Sequence, residues 1–113
     1  MTKRICALLK RMGVPVNRLG YHYVRCAIEM LIENPILTNS LTTVIYPTIA
    51  ERFNVNRQSV ERSIRSAIEI AYEENMDEAE WSRVFGRKVK KDMFRPTNGE
   101  FIAAVADYLV NGV

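Results

Sequence analysis

The stretch Pro47-Thr-Ile-Ala-Glu-Arg-Phe-Asn-Val-Asn-Arg-Gln-Ser-Val-Glu-Arg-Ser-Ile-Arg-Ser-Ala-Ile-Glu-Ile-Ala-Tyr-Glu-Glu-Asn75 reads as two helices joined by a short break. Pro47 suits the first turn of a helix, where its missing N–H forfeits no intrahelical bond. Ile49, Ala50 and Phe53 follow at helical spacing, and Asn54-Val55-Asn56 interrupts the pattern. From Arg57 to about Glu74 the apolar residues Val60, Ile64, Ala67, Ile68 and Ala71 recur on one face. A bihelical reader of DNA needs a small residue where its helices cross, an apolar residue in the turn and a cap on the second helix. Ala50, Val55 as a hydrophobic plug, and Asn56 fill those three places. Asn54 stands where such turns usually carry glycine, and asparagine is the next residue able to adopt a left-handed conformation. The segment is therefore expected to form a helix-turn-helix with the N-terminal half of its second helix facing double-stranded DNA.

The polar face supports that expectation. At about 100° per residue, Gln58, Glu61, Arg62 and Arg65 fall within an arc of roughly 100°, apart from the apolar arc. Arginine can donate two parallel bonds to guanine O6 and N7, and glutamine can pair with adenine in the same way. Glu61 can accept from cytosine N4 or orient a neighbouring arginine. A plain surface helix with a Glu61–Arg65 pair one turn apart would show the same spacing. The turn residues, which such a helix does not require, favour the DNA reading.

Outward from this unit the chain is punctuated by helix signals. A first helix is expected over Thr2–Met12, closed by Gly13-Val-Pro15, with Ile5, Leu8, Leu9 and Met12 on its apolar stripe. A second spans about Leu19–Glu33, carries Tyr23, Cys26, Ala27, Met30 and Leu31 inward, and ends at Asn34-Pro35. Thr38-Asn-Ser40 offers a cap for a short apolar helix, Leu41–Tyr46. Beyond the long helix, Asp77 caps a short helix to Phe85 that Gly86 terminates. Thr97 and Glu100 have capping-box spacing ahead of a final helix bearing Phe101, Ile102, Val105, Ala106 and Leu109. The expected fold class is all-α, a single domain of six to seven helices covering residues 1–113.

Composition bounds the function. The 113 residues suffice for one core, and 48% hydrophobic with 26% charged residues is globular composition. A net charge of +3 permits nucleic-acid binding without demonstrating it. No apolar run approaches the ~20 residues of a membrane span, and the N-terminus does not read as a signal peptide; a cytosolic protein without membrane contact is expected. Cys6 and Cys26, with one histidine in the chain, make no metal-ligand pattern and read as buried reduced thiols. His22 reads as structural, and Trp81 and Phe85, one turn apart, as core packing. No cofactor, metal site or catalytic constellation is expected, so the chain should not be an enzyme. Arg18 and Arg25 are left undecided as backbone contacts. The basic run Arg87-Lys-Val-Lys-Lys91 with Arg95 suits either a solvated connection or a phosphate contact.

Several segments carry a family resemblance. They are Gly20-Tyr-His-Tyr-Val-Arg25, Val44-Ile-Tyr-Pro47, Val60-Glu-Arg62, Ile64-Arg65, Ala67-Ile-Glu69, Pro96-Thr-Asn98, Glu100-Phe-Ile-Ala103 and Val105-Ala-Asp107. In this order they resemble the C-terminal effector domain of the stage-zero sporulation master regulators, response-regulator transcription factors of endospore-forming Firmicutes. The resemblance covers nearly the whole chain. It implies a six-helix domain that binds short boxes resembling TGTCGAA, often as a tandem homodimer, and that activates or represses transcription. It implies DNA-contacting positions at Glu61, Arg62 and Arg65; joined to the start and polar face of the second helix, the candidate DNA-binding set is Asn56, Arg57, Gln58, Ser59, Glu61, Arg62, Arg65 and Ser66. It further implies a sigma-factor contact through residues 72–85 and a dimer contact through the last helix.

Three departures stand out. Ser59 replaces a typical arginine and Ser66 a frequent histidine, which should weaken binding or relax the preferred sequence. Glu73–Glu80 is unusually acidic for a sigma-contacting segment. No receiver domain accompanies the effector domain, which fits either a piece of a longer regulator or a stand-alone effector. The competing reading is an interaction module with weak DNA affinity that modulates a full-length regulator or sigma factor.

Overall fold

Backbone groups left open at helix ends decide where each helix starts and stops. The computed structural model describes residues 1–112, among which there are six α-helices and no strand. They are α1 (Thr2–Arg11), α2 (Leu19–Glu33), α3 (Tyr46–Phe53), α4 (Arg57–Glu74), α5 (Glu78–Phe85) and α6 (Asn98–Asn111). Asp77 accepts from the N–H groups of Ala79 and Glu80 at the start of α5. Thr97 and Glu100 form a complete capping box at the start of α6. Gly86, at φ 67°, ends α5 in the left-handed region where only glycine is unstrained.

One expected helix takes a different form. Leu41–Ile45 is a single wide turn of π geometry that runs directly into α3. The Ser40 carbonyl accepts from both Val44 and Ile45, at 2.9 and 3.1 Å. Pro47 explains the widening, because in a regular α register its ring would press on the Thr43 carbonyl and leave that group without a donor. The Thr48 hydroxyl, donating to the Val44 carbonyl at 2.7 Å, supplies a further substitute bond. The expected Thr38–Ser40 cap does not form. Thr38 donates instead to the Pro35 carbonyl and closes a short 3-10 turn over Pro35–Asn39, which propensity alone did not indicate.

The core is organised about α2, which packs against α1, α3, α4 and α6. Surrounded in this way, α2 buries Tyr21, Val24 and Ile28 beyond the expected Tyr23, Cys26, Ala27 and Leu31, while Met30 is only partly covered. Cys26 is buried and Cys6 is half-buried, so the expectation that both thiols are buried is corrected for Cys6. The closest approach is at Gly20. A Cβ there would lie 2.1 Å from the Ser63 carbonyl oxygen and 2.8 Å from the Ala67 Cβ. α2 and α4 thus meet backbone to backbone.

Trp81 docks α5, fully buried as the sequence led one to expect. Its indole N–H donates to the Met12 carbonyl at 2.9 Å, and its ring stacks on Phe85 and packs on Tyr72 and Phe101. One buried group has no counterpart in the pattern reading. Glu80 is only 7% exposed. Its carboxylate accepts from Arg11 at 2.8 Å and pairs with Arg83. These bonds, Arg11's foremost, hold the carboxyl below its ordinary 4.5 despite the cost of burial.

Two outcomes follow from this packing. Gly20→Ala forces α2 away from α4 and should lower unfolding free energy by about 1–3 kcal/mol in urea denaturation. Because Glu80 is more acidic folded than unfolded, its contribution is complete above about pH 4.5 and is lost as pH falls through the lowered folded value. Urea midpoints measured across that range should fall more steeply for the parent chain than for Glu80→Gln.

Candidate nucleic-acid interface

The turn between α3 and α4 is built from backbone bonds that only one conformation at residue 54 permits. Asn54 has φ 56° and ψ 49°, the sole left-handed non-glycine residue among those described. Its N–H donates to the Glu51 carbonyl and the Val55 N–H to the Ala50 carbonyl, the paired bonds of a Schellman ending. Ala50, expected at the helix crossing, is buried. Val55 does not act as an interior plug. Its side chain is 37% exposed and its contribution is the backbone N–H. Phe53 is also near the surface, with its ring edge-on to Tyr23 at 5.1 Å.

Asn56 then opens α4, its side-chain oxygen accepting from the Ser59 N–H at 2.8 Å. That oxygen is committed to the helix, and so is the Ser59 backbone. Val60, Ile64, Ala67, Ile68 and Ala71 are buried on one face of α4. The opposite face presents Gln58, Arg62, Arg65 and Ser66 to solvent, with Ser59 and Glu61 half-covered, and Arg57 is exposed as the first residue of the helix. Of the eight residues Asn56, Arg57, Gln58, Ser59, Glu61, Arg62, Arg65 and Ser66, all lie outside the buried core, but they are not equivalent. Asn56 is scaffold, and Ser59 sits at the edge.

Charge on this face is unevenly committed. Glu61 and Arg65 form the i,i+4 ion pair that the sequence allowed. Arg62 has no ion-pair partner among the described residues. The Glu61 backbone is held by α6, where the Asn98 amide donates to the Glu61 carbonyl at 3.1 Å and to the Tyr46 hydroxyl at 2.9 Å. Burial, the larger influence, raises the Tyr46 pKa despite the Asn98 bond, so this hydroxyl stays neutral. Asn98 thus ties α3, α4 and α6 together directly beneath the exposed polar face.

Two open grooves flank α4. One, about 530 Å³, is walled by Arg65 with Thr42, Arg95 and Thr97; the other, about 440 Å³, by Arg62 and Ser66 with Asn17 and Arg18. Each groove thus has one arginine from α4 and one from the surrounding scaffold. The scaffold residues were not in the sequence-derived set. Neither Arg18 nor Arg95 lies near α4 in sequence, so the spacing along that helix does not reach them. The basic run ending in Arg95 and the Pro96-Thr-Asn98 motif are the sequence signals for the Arg95 wall.

The arrangement can accept a rod-like polyanion with donors along its groove edge. Arginine and glutamine side chains carry donors able to pair with base edges, and arginine also pairs with phosphate. No helix among the described residues is long and apolar enough to cross a membrane. Removing the cap at Asn56 should loosen the first turn of α4. Asn56→Ala is expected to cost about 1 kcal/mol in thermal unfolding, and Asn56→Asp to restore most of it.

The sequence profile described as "Sporulation initiation factor Spo0A C terminal" matches residues 5–109, nearly the whole chain. It is a profile of DNA-binding transcription-factor domains rather than of enzymes, and its extent agrees with the six-helix fold. With a helix-turn-helix presenting α4 and a match over residues 5–109, the chain belongs to the family of C-terminal DNA-binding domains of the sporulation initiation factor Spo0A.

Proposed function

We propose that this domain regulates transcription by reading paired short boxes resembling TGTCGAA in the major groove, as a homodimer on adjacent sites. The reading rests chiefly on the exposed face of α4, where Arg62 stands unpaired beside the Glu61–Arg65 pair between two arginine-walled grooves. In this reading Arg62 donates to a guanine edge. Arg65 exchanges its bond to Glu61 for a base or phosphate, and Glu61 accepts from cytosine or steers Arg65. Gln58, Arg57 and Ser66 border the contact. Ser59 and Ser66, being short, leave room where longer donors would reach DNA, so the preferred sequence should be looser at the corresponding positions.

The partner contacts follow from the family resemblance. The homodimer contact is assigned to α6, whose exposed Val110 borders an apolar groove with Leu31, Ile32, Ala103 and Ala106. The sigma-factor contact is assigned to the exposed part of 72–85. There Glu73, Glu74 and Glu78 offer an acidic surface, and Tyr72, Trp81 and Val84 are committed to the core.

Arg62→Ala and Arg65→Ala should each weaken binding to a tandem-box duplex by about 1–3 kcal/mol, with little change on scrambled DNA. A mobility-shift assay at fixed salt measures both. Unchanged affinity in both variants would remove α4 from the role of reader. The short Ser59 and Ser66 side chains favour a second reading, an interaction module with little sequence preference. A tandem-to-scrambled affinity ratio near one selects that reading, since specific readers favour their site by ~10³ or more.

A further inference from the structure

The connection between α5 and α6, residues 86–97, carries Arg87, Lys88, Lys90, Lys91 and Arg95 against a single acid, Asp92. Three anchors hold its backbone. Val89 is buried, with its N–H donating to the Ser82 hydroxyl at 2.9 Å. The Tyr72 hydroxyl lies within hydrogen-bond distance of the Lys90 and Met93 carbonyls. The Lys91 N–H donates to the Glu78 carboxylate at 2.9 Å. With the backbone pinned, Lys88, Lys90 and Lys91 stay exposed, and so do Met93 and Phe94. Phe94 is 101% exposed, the most exposed large apolar residue described.

The path of this connection is informative. Met93 meets Tyr72, Arg95 pairs with Glu69 at 3.1 Å, and Asn98 reaches the Glu61 carbonyl. The chain therefore runs antiparallel beside α4, from its C-terminal turn back to its groove-facing half. Arg95 and Arg65 wall the same groove. Of the five cations only Arg95 has an ion-pair partner among the described residues, and the Arg87 guanidinium lies over the Phe85 ring. Glu78, at the start of α5, adjoins the patch through its bond from the Lys91 N–H, and Glu73, Glu74 and Asp77 are exposed at the end of α4 and the start of α5.

We infer that residues 86–97 form a second DNA contact. Lys88, Lys90 and Lys91 would engage phosphates of the strand passing the C-terminal half of α4, and Phe94 would lie against the same backbone. The inference rests on the reading of α4 as the base-contacting helix. It extends the interface beyond the box without adding sequence preference, because phosphates carry no base identity. The basic charge suits any polyanion, and continuity with the α4 face favours duplex DNA over an anionic membrane as the occupant.

The test uses the full chain and a duplex extending one helical turn beyond a tandem TGTCGAA site. Each neutralised phosphate contributes about 0.9 to the slope of log affinity against log salt. Lys88→Ala/Lys90→Ala/Lys91→Ala should reduce that slope by about 2–3 and weaken tandem and scrambled duplexes alike. These side chains are exposed, so the melting temperature of the triple variant should match the parent's. Phe94→Trp provides a local reporter, with buried Trp81 as a constant background. Its emission should shift when the duplex is added and stay unchanged on anionic vesicles. An unchanged salt slope, emission from the Phe94→Trp variant that is indifferent to DNA, or a shift on vesicles alone overturns the inference. Failure of the α4 reading would look different, because the parent chain would then fail to distinguish tandem from scrambled DNA.

Discussion

The backbone-to-backbone contact of α2 and α4 at Gly20 is the constraint on which the rest of this structure depends. Only a residue without Cβ allows the Ser63 carbonyl to sit where it does. The close crossing lets Val60, Ile64, Ala67 and Ile68 reach the same core as Val24, Ala27 and Ile28. It also fixes the rotation of α4 about its own axis. With the Ser63–Ala67 edge pressed on α2, Arg62, Arg65 and Ser66 are left exposed. Interiors are packed too tightly to absorb a rotation of that helix, so the direction of the candidate reading face follows from one missing methyl group.

A second layer of support reaches the same helix from the opposite side. Asn98 hydrogen-bonds both Tyr46 and the Glu61 backbone, and Arg95 pairs with Glu69. The capping box at Thr97 and Glu100 orients the α6 terminus that delivers Asn98. α4 is thus held between α2 and the start of α6, leaving one arc free. A site built on a helix braced on two sides holds its side chains in narrower geometry than one carried by a loop. The Glu61–Arg65 pair lies at one of the grooves beside this helix, which both residues line.

The contrast between Glu80 and the exposed acids of the same region shows how burial sorts residues of one type. Glu80 accepts from Arg11 and pairs with Arg83, linking α5 to α1 from within. Glu73, Glu74 and Asp77 lie at the surface a few residues away. The acidity of this stretch therefore divides into a structural part and a part open to partners. The basic connection 86–97 follows the same logic, with Val89 and the Lys90 and Met93 carbonyls anchored inward and the lysine side chains outward.

Local chemistry determined much of this protein from sequence alone. Asn56, Asp77 and the Thr97–Glu100 pair start their helices, and Asn54 and Gly86 end theirs, because these residues satisfy open backbone groups within a few positions along the chain. The 3.6-residue periodicity likewise separated the buried face of α4 from its polar face. Tertiary structure decided what depends on residues distant in the chain. It placed Val55 at the surface, merged the expected Leu41–Tyr46 helix into α3 as a wide turn, and surrounded α2 so that more of it is buried. It also buried Glu80 between two arginines and brought Arg18 and Arg95 to either side of α4. Such pairings depend on how helices cross. A crossing is set by the summed packing of many side chains, which no short stretch of sequence contains.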